Sequence, residues 1–212
     1  VGDVAPTLDA LLPLLTPRED EAHLKAVLDQ WESDREAYAG SADEPDAGLI
    51  HPQFVTRTLD RLAAEDALFT ADGGSPMVWL LRHLTARGQR RFLTSLLHGT
   101  MANAFPQAMG MAAAYPGRQV IALAGDGGLS MLMGDLLTLR QEGLAVKVLV
   151  FDNGSLGFVE MEQRVEGLLD SYTSLTNPDF PKLAEACGLA GWHVDRADDL
   201  EGQLVIGEQR IE

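Results

Sequence analysis

The sequence predicts an α/β fold, in which a parallel sheet carries helices on both faces and is preceded by a helical linker. Two observations carry this prediction. Short apolar runs such as residues 119–124 (QVIALA) and 146–151 (VKVLVF) have the length of buried strands. Segments of helical pattern, about 10–15 residues long, separate such runs, and this alternation is typical of a parallel sheet covered by helices.

The predicted helical linker comes first in the chain. Residues 1–16 are rich in leucine and are interrupted by Pro13, which breaks any long helix there. Residues 19–38 are highly charged, and their apolar residues recur at helical spacing (Leu24, Val27, Leu28 and Trp31). This spacing predicts an amphipathic helix with a narrow apolar stripe.

A domain boundary is expected near residue 45, because residues 40–48 (GSADEPDAG) have the composition of a linker. The predicted domains are therefore 1–48 and 49–212. In chain order, the elements predicted for the second domain are a helix over 52–64, a strand over 67–71, a helix over 75–84, a helix over 103–115, a strand over 119–124, a helix over 129–142, a strand over 146–151, a helix over 179–187 and a last strand beginning at 192–194.

Composition and charge argue against several classes of function. The 212 residues contain 32 Asp and Glu against 16 Lys and Arg, which gives a formal net charge of −16. A DNA- or RNA-binding surface would need a basic face. The one cysteine, Cys187, excludes an intramolecular disulfide, and we interpret it as a small core residue at a helix end. No apolar run approaches the ~18 residues of a membrane span, and no signal peptide is evident, so a cytoplasmic location is expected.

The strongest functional signal is a strand–helix–strand unit. Its first strand runs into residues 125–128 (GDGG), and its second runs into residues 152–154 (DNG). If the strands are neighbours, about 4.8 Å apart, Asp126 and Asn153 emerge at the sheet edge where ligands of open α/β sheets bind. Their carboxylate and amide oxygens, with a backbone carbonyl near Ser155, suit Mg²⁺, which completes its shell with phosphate and water.

The glycines of the first turn suit a phosphate group. Gly127 and Gly128 let the backbone approach closely, and their N–H groups and the following helix N-terminus favour anions. A plain strand–helix–strand unit with turn-forming Gly and Asp is the structural alternative. A dinucleotide-binding fold is disfavoured, because the turn reads GDGG rather than G-x-G-x-x-G and no acidic residue ends a second strand about 20 positions on.

The segment from GDGGLSML to FDNGSLGFVEME resembles the cofactor motif of thiamine diphosphate enzymes, with Asn153 following Asp126 by 27 residues. It is most similar to the pyruvate oxidase and pyruvate:quinone dehydrogenase group. The resemblance covers most of residues 50–194 and implies a C-terminal, diphosphate-binding domain, with Mg²⁺ held by Asp126, Asn153 and Ser155. The cofactor-binding residues that it implies are Gly74, Ser75, Gly99, Thr100, Met101, Gly125, Asp126, Gly127, Gly128, Asn153, Ser155, Leu156 and Gly157.

Two upstream segments extend the resemblance. Residues 69–76 (FTADGGSP) resemble a turn that contacts the diphosphate in the family, which implies that role for Gly74 and Ser75. Ser75 could instead be only a helix cap. Residues 98–103 (HGTMAN) resemble the segment beneath the cofactor's pyrimidine ring, where the carbonyl of Gly99 would accept a hydrogen bond from the aminopyrimidine.

The catalytic candidates that the resemblance implies are His98, Met101, Phe158 and Glu162. Met101 would wedge between the two cofactor rings, a role that suits a long, polarizable side chain. Without the resemblance, Met101 would be interpreted as a core methionine. His98 could donate to the substrate or bond only within its loop. Phe158 and Glu162 would line the substrate pocket, although Glu162 could be a solvated carboxylate on a helix. Arg164 is a further candidate for binding a substrate carboxylate.

The resemblance also implies parts that lie outside this chain. A pyrimidine-binding domain would supply the glutamate that activates the cofactor, and FAD, held by a middle domain, would accept electrons after pyruvate or a related 2-oxoacid is decarboxylated. The opening residues of the chain resemble the tail of that middle domain. We therefore expect this chain alone to be inactive, its parent to be a homodimer or homotetramer, and any membrane association to depend on a missing tail.

The chain departs from the family pattern at three places. Asp152 replaces a usual Asn, Gly73 replaces a common apolar residue and is expected to loosen its turn, and residues 201–212 do not follow the pattern, so the C-terminal end is expected to be truncated. An acetolactate synthase-like or 2-oxoacid decarboxylase domain shares the metal motif and remains an alternative. A non-catalytic binding or assembly module is another. The stretches LGFVEME and HGTMANAFPQAMG favour the oxidase group.

Overall fold

The chain forms two compact units, residues 1–40 and 41–212. The computed structural model describes residues 2–17, 19–39 and 49–206. Residues 40–48, which have the composition of a linker, and the predicted boundary near residue 45 lie outside these described residues.

The first unit is helical. Helix α1 spans Val4–Leu11, a 3₁₀ turn follows at Leu12–Leu14, and helix α2 spans Ala22–Ala39. The break falls at Pro13, as predicted, because proline has no N–H for the helix ladder. The apolar stripe predicted on α2 is present and exposed (Leu24, Val27, Leu28 and Trp31).

The second unit contains a parallel sheet of four strands, which confirms the predicted fold class. The strands are β1 (Leu68–Ala71), β2 (Arg91–Thr94), β3 (Val120–Gly125) and β4 (Val146–Phe151), in the spatial order β2-β1-β3-β4. All neighbouring pairs are parallel, with Leu68 opposite Val120 and Val120 opposite Val146. The two strands that carry GDGG and DNG are therefore neighbours.

Helices cover both faces of this sheet. Their bounds are α3 Pro52–Leu62, α4 Ser75–His83, α5 Ala104–Ala114, α6 Asp126–Leu132, α7 Leu136–Glu142, α8 Gly157–Val165, α9 Phe180–Ala186 and α10 Ala197–Ile206. Leu59 and Leu80 bring α3 and α4 against Ile121 on one face of β3, and Ala108 brings α5 against Val120 on the other. This alternation follows from the two-residue period of a strand.

The central strands explain where the core lies. β1 is buried at all four positions, and β3 is buried along nearly its whole length, whereas the outer strands β2 and β4 are partly exposed. A further apolar cluster on the α5 face includes Phe105 and Leu136. Cys187 packs against this cluster, half-buried at the end of α9, in keeping with its interpretation as a small core residue.

The helix predicted over residues 129–142 differs from the observed structure in two ways. It begins three residues earlier, at Asp126, so the glycines of GDGG lie in the first turn of α6. It is also interrupted by a 3₁₀ turn at Met133–Asp135 before α7. Glycine at position 134 weakens the helix there, because it loses more backbone freedom than other residues.

The strand predicted to begin at residues 192–194 is wrong. Residues 191–195 form neither helix nor strand. Gly191 instead packs on Pro181, where an added Cβ would lie 2.4 Å from the Pro181 carbonyl oxygen. A strand needs a neighbouring strand for its N–H and C=O groups, and among the described residues none lies beside this segment.

Strand β2 and helix α10 were not predicted. β2 has four residues, of which two are exposed, so its apolar pattern is too short to stand out. Helix α10 covers part of the segment that departs from the family pattern. The proposed truncation beyond it concerns residues 207–212, which lie outside the described residues.

Candidate functional site

Four loops that carry the predicted site residues meet at the carboxyl edge of the sheet. The loop after β1 contains Gly74 and leads into Ser75 at the start of α4, and the loop after β2 contains Met101. β3 runs directly into Asp126, and β4 runs into Asn153. Because all four strands are parallel, their ends share one edge. The edge is the place at which open α/β sheets bind ligands.

Asp126 is the buried carboxylate of this edge, with 3% of its surface exposed. Its Oδ1 accepts a hydrogen bond from the backbone N–H of Gly127 at 2.8 Å. Its Oδ2 accepts one from the N–H of Gly154 and one from the side-chain amide of Asn177, both at 2.8 Å. The Gly154 bond joins the turn after β3 to the turn after β4, so the two predicted motifs are in direct contact.

Asn153 lies beside this junction with an exposed side chain. Its Oδ1 accepts a hydrogen bond from the N–H of Ser155 at 3.1 Å, which closes a local turn. The hydroxyl of Ser155 donates to Oε2 of Glu160 at 2.7 Å. The loop that carries two of the three predicted metal ligands is thus tied to helix α8.

The glycines of GDGG are required by close packing. An added Cβ on Gly127 would lie 2.9 Å from Leu156, 3.1 Å from the end of Met101 and 3.2 Å from Leu175. On Gly128 it would lie 2.1 Å from Oδ2 of Asp72. A real Cβ atom cannot lie only 2.1 Å from the Asp72 oxygen, so position 128 requires glycine. The predicted wedge, Met101, is half-buried and meets the GDGG turn here, together with Leu156.

Asp72 is a buried residue that was quoted in the upstream motif but not selected as a site residue. It is 2% exposed, its Oδ1 accepts from the N–H of Ala104 at 2.8 Å, and its Oδ2 accepts from the N–H of Gly125 at 3.1 Å. Burial raises the pKa of its carboxyl group, and the backbone N–H bonds oppose that shift. Asp72 connects the ends of β1 and β3 with the start of α5. In the sequence, only the position of Asp72 at the end of a predicted strand could have indicated this connecting role.

The turn after β1 is tighter than the sequence indicated. Gly74, the residue before α4, has φ +122°, a conformation that favours glycine. Ser75 is the first helical residue, so the alternative that it caps the helix is wrong. Gly73 donates its N–H to the carbonyl of Thr100 at 2.9 Å, and a Cβ there would lie 2.3 Å from the carbonyl oxygen of Gly99. The expectation that Gly73 loosens the turn is therefore wrong, because close packing needs a glycine.

The loop after β2 presents its predicted residues to solvent. His98, Gly99 and Thr100 are exposed. Gly99 has φ +57° and Ala102 has φ +59°, which gives the loop two left-handed residues. The carbonyl oxygen of Gly99 faces Gly73, as its contact distance requires. The hydrogen bond that the Gly99 carbonyl would accept from the aminopyrimidine remains a prediction, as do the roles of His98 and Thr100.

The candidates on α8 differ in their surroundings. Gly157 begins the helix, Phe158 is half-buried, and Glu162 is exposed. Arg164 bonds to Asp170 at 3.0 Å and also pairs with Glu160. Because two carboxylates already engage the guanidinium, Arg164 is a poor candidate for binding a substrate carboxylate.

The segment 173–177 belongs to the site although nothing in the sequence analysis selected it. Its Ser174 pairs with Ser155 in an isolated antiparallel bridge. Asn177 then donates to Asp126 Oδ2 and to Asp152 Oδ1, both at 2.8 Å. The available signal was Asn-Pro-Asp immediately before α9, a common way to start a helix, and it gave no reason to connect the segment with GDGG.

Comparison with protein families agrees with this geometry. Residues 72–207 match the family described as thiamine pyrophosphate enzyme, C-terminal TPP binding domain. The chain belongs to this family. Thiamine pyrophosphate is another name for thiamine diphosphate, so the match confirms the predicted kind of domain and supports thiamine diphosphate as its cofactor.

Relatives of this thiamine diphosphate-binding domain carry more than one named activity. YdaP of Bacillus subtilis, named for thiamine pyrophosphate but not for a reaction, is 35% identical over 94% of this chain. An acetolactate synthase of Mycobacterium bovis is 34% identical over 94% of the chain, and a pyruvate oxidase of Lactiplantibacillus plantarum is 33% identical over 94%. The matches cover 35%, 34% and 33% of those proteins, so the chain spans about a third of their length. The pyruvate oxidase group is not singled out.

The residues at the sheet edge fit a diphosphate and a hard cation. A carboxylate has about four lone-pair positions, and three N–H bonds from described residues reach Asp126, two of them on Oδ2. Oδ1 therefore retains a position for a cation. Asn153 and the Ser155 carbonyl add the neutral oxygens that Mg²⁺ takes together with phosphate and water. Among the described residues, no three or more His, Cys, Asp and Glu side chains group to hold a metal, so a cation here would depend on this mixed oxygen set.

Within residues 2–17, 19–39 and 49–206, no helix is both long and apolar enough to cross a membrane.

Proposed function

We propose that this chain supplies the diphosphate and Mg²⁺ site of a thiamine diphosphate enzyme that decarboxylates pyruvate or a related 2-oxoacid oxidatively, with FAD as the first electron acceptor in the whole protein. The observation that carries the proposal is the Asp126 carboxylate, buried at the junction of the GDGG and DNG turns. In the proposed site, the bound cofactor supplies the electron sink for decarboxylation.

The residues of the chain bind and orient in this proposal. Asp126, Asn153 and the carbonyl of Ser155 hold the cation. Gly127 and Gly128 let the backbone of the turn approach the diphosphate, and they also leave room for the packing of Leu156 and Asp72 against the turn. Gly74 and Ser75 approach it from the turn after β1, where Ser75 offers a hydroxyl group at the start of α4.

In this proposal, the loop after β2 and helix α8 contact the ring end of the cofactor. Met101 contacts the GDGG turn, which supports its role as the wedge beneath the rings. Gly99 and Thr100 lie beside it. Phe158 and His98 are assigned to the substrate side.

The activating glutamate of the pyrimidine-binding domain lies outside this chain in the proposal. A homodimer or homotetramer would bring that domain to the exposed loop of His98 and to the exposed face of α8. Large apolar side chains are exposed in the loop of His98 and in the segment that follows α8, which is compatible with a covering partner (Leu96, Leu97, Leu168, Leu169 and Tyr172).

Calorimetric titration of thiamine diphosphate into the chain, with Mg²⁺ and then with a chelator, tests the proposed site. We expect heat that depends on Mg²⁺ and that Asp126→Ala abolishes. Thr138→Ala, on the neighbouring helix α7, serves as a folded control. Binding by Asp126→Ala equal to that of the unmodified chain would contradict the metal assignment.

Acetolactate synthesis is the second candidate reaction. The mycobacterial acetolactate synthase is as similar to this chain as the pyruvate oxidase, within one percentage point of identity. Anaerobic addition of pyruvate to the whole protein separates the two. Loss of the oxidised flavin spectrum supports the oxidase, whereas acetolactate formation with an unchanged flavin spectrum contradicts it.

A non-catalytic assembly module is a weaker alternative. A domain that has lost its ligand would have no need to bury the Asp126 carboxylate at the junction of the GDGG and DNG turns. Absence of Mg²⁺-dependent cofactor binding in the whole protein would favour the module.

A further inference from the structure

Segment 173–177 lies along the loop that carries the proposed metal ligands. The N–H of Leu156 donates to the carbonyl of Thr173 at 2.8 Å, and the N–H of Leu175 donates to the carbonyl of Gly154 at 2.8 Å. Thr173 is 5% exposed, and the end of Leu175 packs against Gly127. Two main-chain bonds and two packed side chains hold the segment in place.

Asn177 extends from this segment to two carboxylates. Its Nδ2 lies 2.8 Å from Asp126 Oδ2 and 2.8 Å from Asp152 Oδ1. An amide NH₂ group has two hydrogens, one for each of these acceptors. The following residue, Pro178, restricts Asn177 to an extended backbone, so little conformational freedom is lost when the amide binds.

The two carboxylates share two donors: the Asn177 amide and the N–H of Gly154, which lies 2.8 Å from Asp126 Oδ2 and 3.2 Å from Asp152 Oδ1. Asp126 and Asp152 follow neighbouring strands, and like charges that close repel each other. Asn177 is neutral and donates to both, so it offsets their repulsion without competing with a cation for position. It also completes the partners of Asp126 Oδ2, which already accepts from Gly154. Oδ1 accepts only from Gly127 among the described residues and is then the oxygen that retains a position for a cation.

We infer that Asn177 is a positioning residue for the proposed metal site. It holds the Asp126 carboxylate so that Oδ1 faces the cation, and it holds the Asp152 carboxylate so that Asp152 does not compete with Asp126 for the cation. This inference rests on the proposed function, because it assigns Asp126 as the metal ligand. Outer partners of metal ligands typically change metal affinity by about 10–100-fold when they are removed.

The test compares Asn177→Leu, which keeps the approximate shape and removes both donors, with Thr176→Val as a matched control. Thr176 is the exposed neighbour on the same segment. Mn²⁺ affinity is measured by electron paramagnetic resonance in the presence of thiamine diphosphate, and separately with inorganic pyrophosphate. We expect Asn177→Leu to bind Mn²⁺ at least about tenfold more weakly, and Thr176→Val to bind as the unmodified chain does.

A second measurement needs no metal. The amide proton of Gly154 donates to Asp126 Oδ2 at 2.8 Å and also lies within reach of Asp152 Oδ1 at 3.2 Å, so its NMR chemical shift reports the positions of the two carboxylate oxygens that Asn177 contacts. We expect the Gly154 proton to move upfield in Asn177→Leu and to stay in place in Thr176→Val. If Asn177→Leu fails to fold, Asn177→Ala is measured in the same way.

The outcomes separate the two claims. An unmodified chain that binds no Mn²⁺ with either diphosphate overturns the proposed function, whatever Gly154 does. If the unmodified chain binds Mn²⁺ and Asn177→Leu binds it with the same affinity, the inference about Asn177 is overturned and the proposed function is not. A Gly154 resonance that does not move in Asn177→Leu also overturns it, because Asp126 is then held without Asn177.

Discussion

At the scale of single residues, the site depends on side chains that are absent as much as on those present. Gly128 leaves room for the carboxylate of Asp72, and Gly73 leaves room for the carbonyl of Gly99. Protein interiors are close-packed, so one added methyl group must displace these neighbours. Both neighbours are fixed, the first by two backbone N–H bonds and the second by the main chain itself.

Gly128→Ala is therefore expected to destabilise the chain by about 1–3 kcal/mol and to weaken cofactor binding. The new Cβ would lie 2.1 Å from Asp72 Oδ2 and 3.1 Å from the nitrogen of Ala102. Urea denaturation measures the free energy of unfolding. Gly134→Ala is the control, because a Cβ there meets nothing within 4 Å. Equal stability of the two variants would show that the GDGG packing is looser than described.

Asp72 makes the stability of the chain depend on pH. Its pKa is raised above the ordinary 3.8 by burial, so the folded chain holds this proton more tightly than the unfolded chain does. Its contribution to stability is therefore largest at low pH and falls as pH rises from about 3.8 through the raised pKa. Above that range the contribution is constant.

Comparison with Asp72→Asn isolates this effect, because both proteins share every other titrating group. The amide can accept only one of the two N–H bonds, so the variant also loses a bond. We expect the free energy of unfolding of the original chain, minus that of Asp72→Asn, to decrease as pH is raised from about 4, in urea titrations at several pH values. A difference that grows over this range would contradict the assigned direction of the shift.

At the scale of elements, the short strand β2 is held by the residue before it. Arg90 is 3% exposed and bonds to Asp60 Oδ1 at 2.7 Å and to the carbonyl of Ala64 at 2.9 Å. It also lies over the ring of Phe69, 5.8 Å from its centroid. One guanidinium thus joins the C-terminal part of α3 to the entry of β2. The fork of donors on arginine suits this convergence of acceptors.

Arg90→Met should destabilise the chain by about 3–5 kcal/mol, because it removes the cationic partner of Asp60, which keeps its bonds from Thr85, and removes the guanidinium donor of the Ala63 and Ala64 carbonyls. Thermal or urea unfolding measures the loss. Arg61→Met is the matched control, since Arg61 makes an ion pair with Glu201 on the exposed surface, where water screens the charges. Similar losses in the two variants would contradict the importance given to the buried pair.

At the scale of the whole molecule, charge is the dominant property. A net charge of −16 on 212 residues means that the folded chain repels itself. Salt should reduce this repulsion more than it weakens the exposed ion pairs. The proposed cation site lies among these charges and would add to the effect when it is filled.

We expect the melting temperature to rise when KCl is increased from about 10 mM to about 150 mM, which shortens the Debye length from about 30 Å to about 8 Å. A gain of about 1 kcal/mol corresponds to about 2–4 °C for a chain of this size. The same titration on Asp126→Ala separates screening from cation binding at the proposed site. A melting temperature that falls with salt in both proteins would show that ion pairs outweigh the net charge.

Much of the fold followed from local patterns. The runs QVIALA and VKVLVF are central and edge strands of the observed sheet, and their spacing indicated a crossover helix and parallel pairing. The short strand β2 was not predicted, and the strand predicted to begin at 192–194 was wrong. Pattern over three or four residues is weak, and pairing with a neighbour decides whether such a run becomes a strand.

The sequence by itself determined the class of fold, the acidic character and the two turns that carry Asp126 and Asn153, because strand and turn preferences act over a few neighbouring residues. The tertiary structure decided the partners of Asp126 and Asp72. Asn177 is 51 residues from Asp126, and Asp72 is 53 residues from Gly125. Contacts over such separations depend on the strand order β2-β1-β3-β4, which local periodicity does not encode.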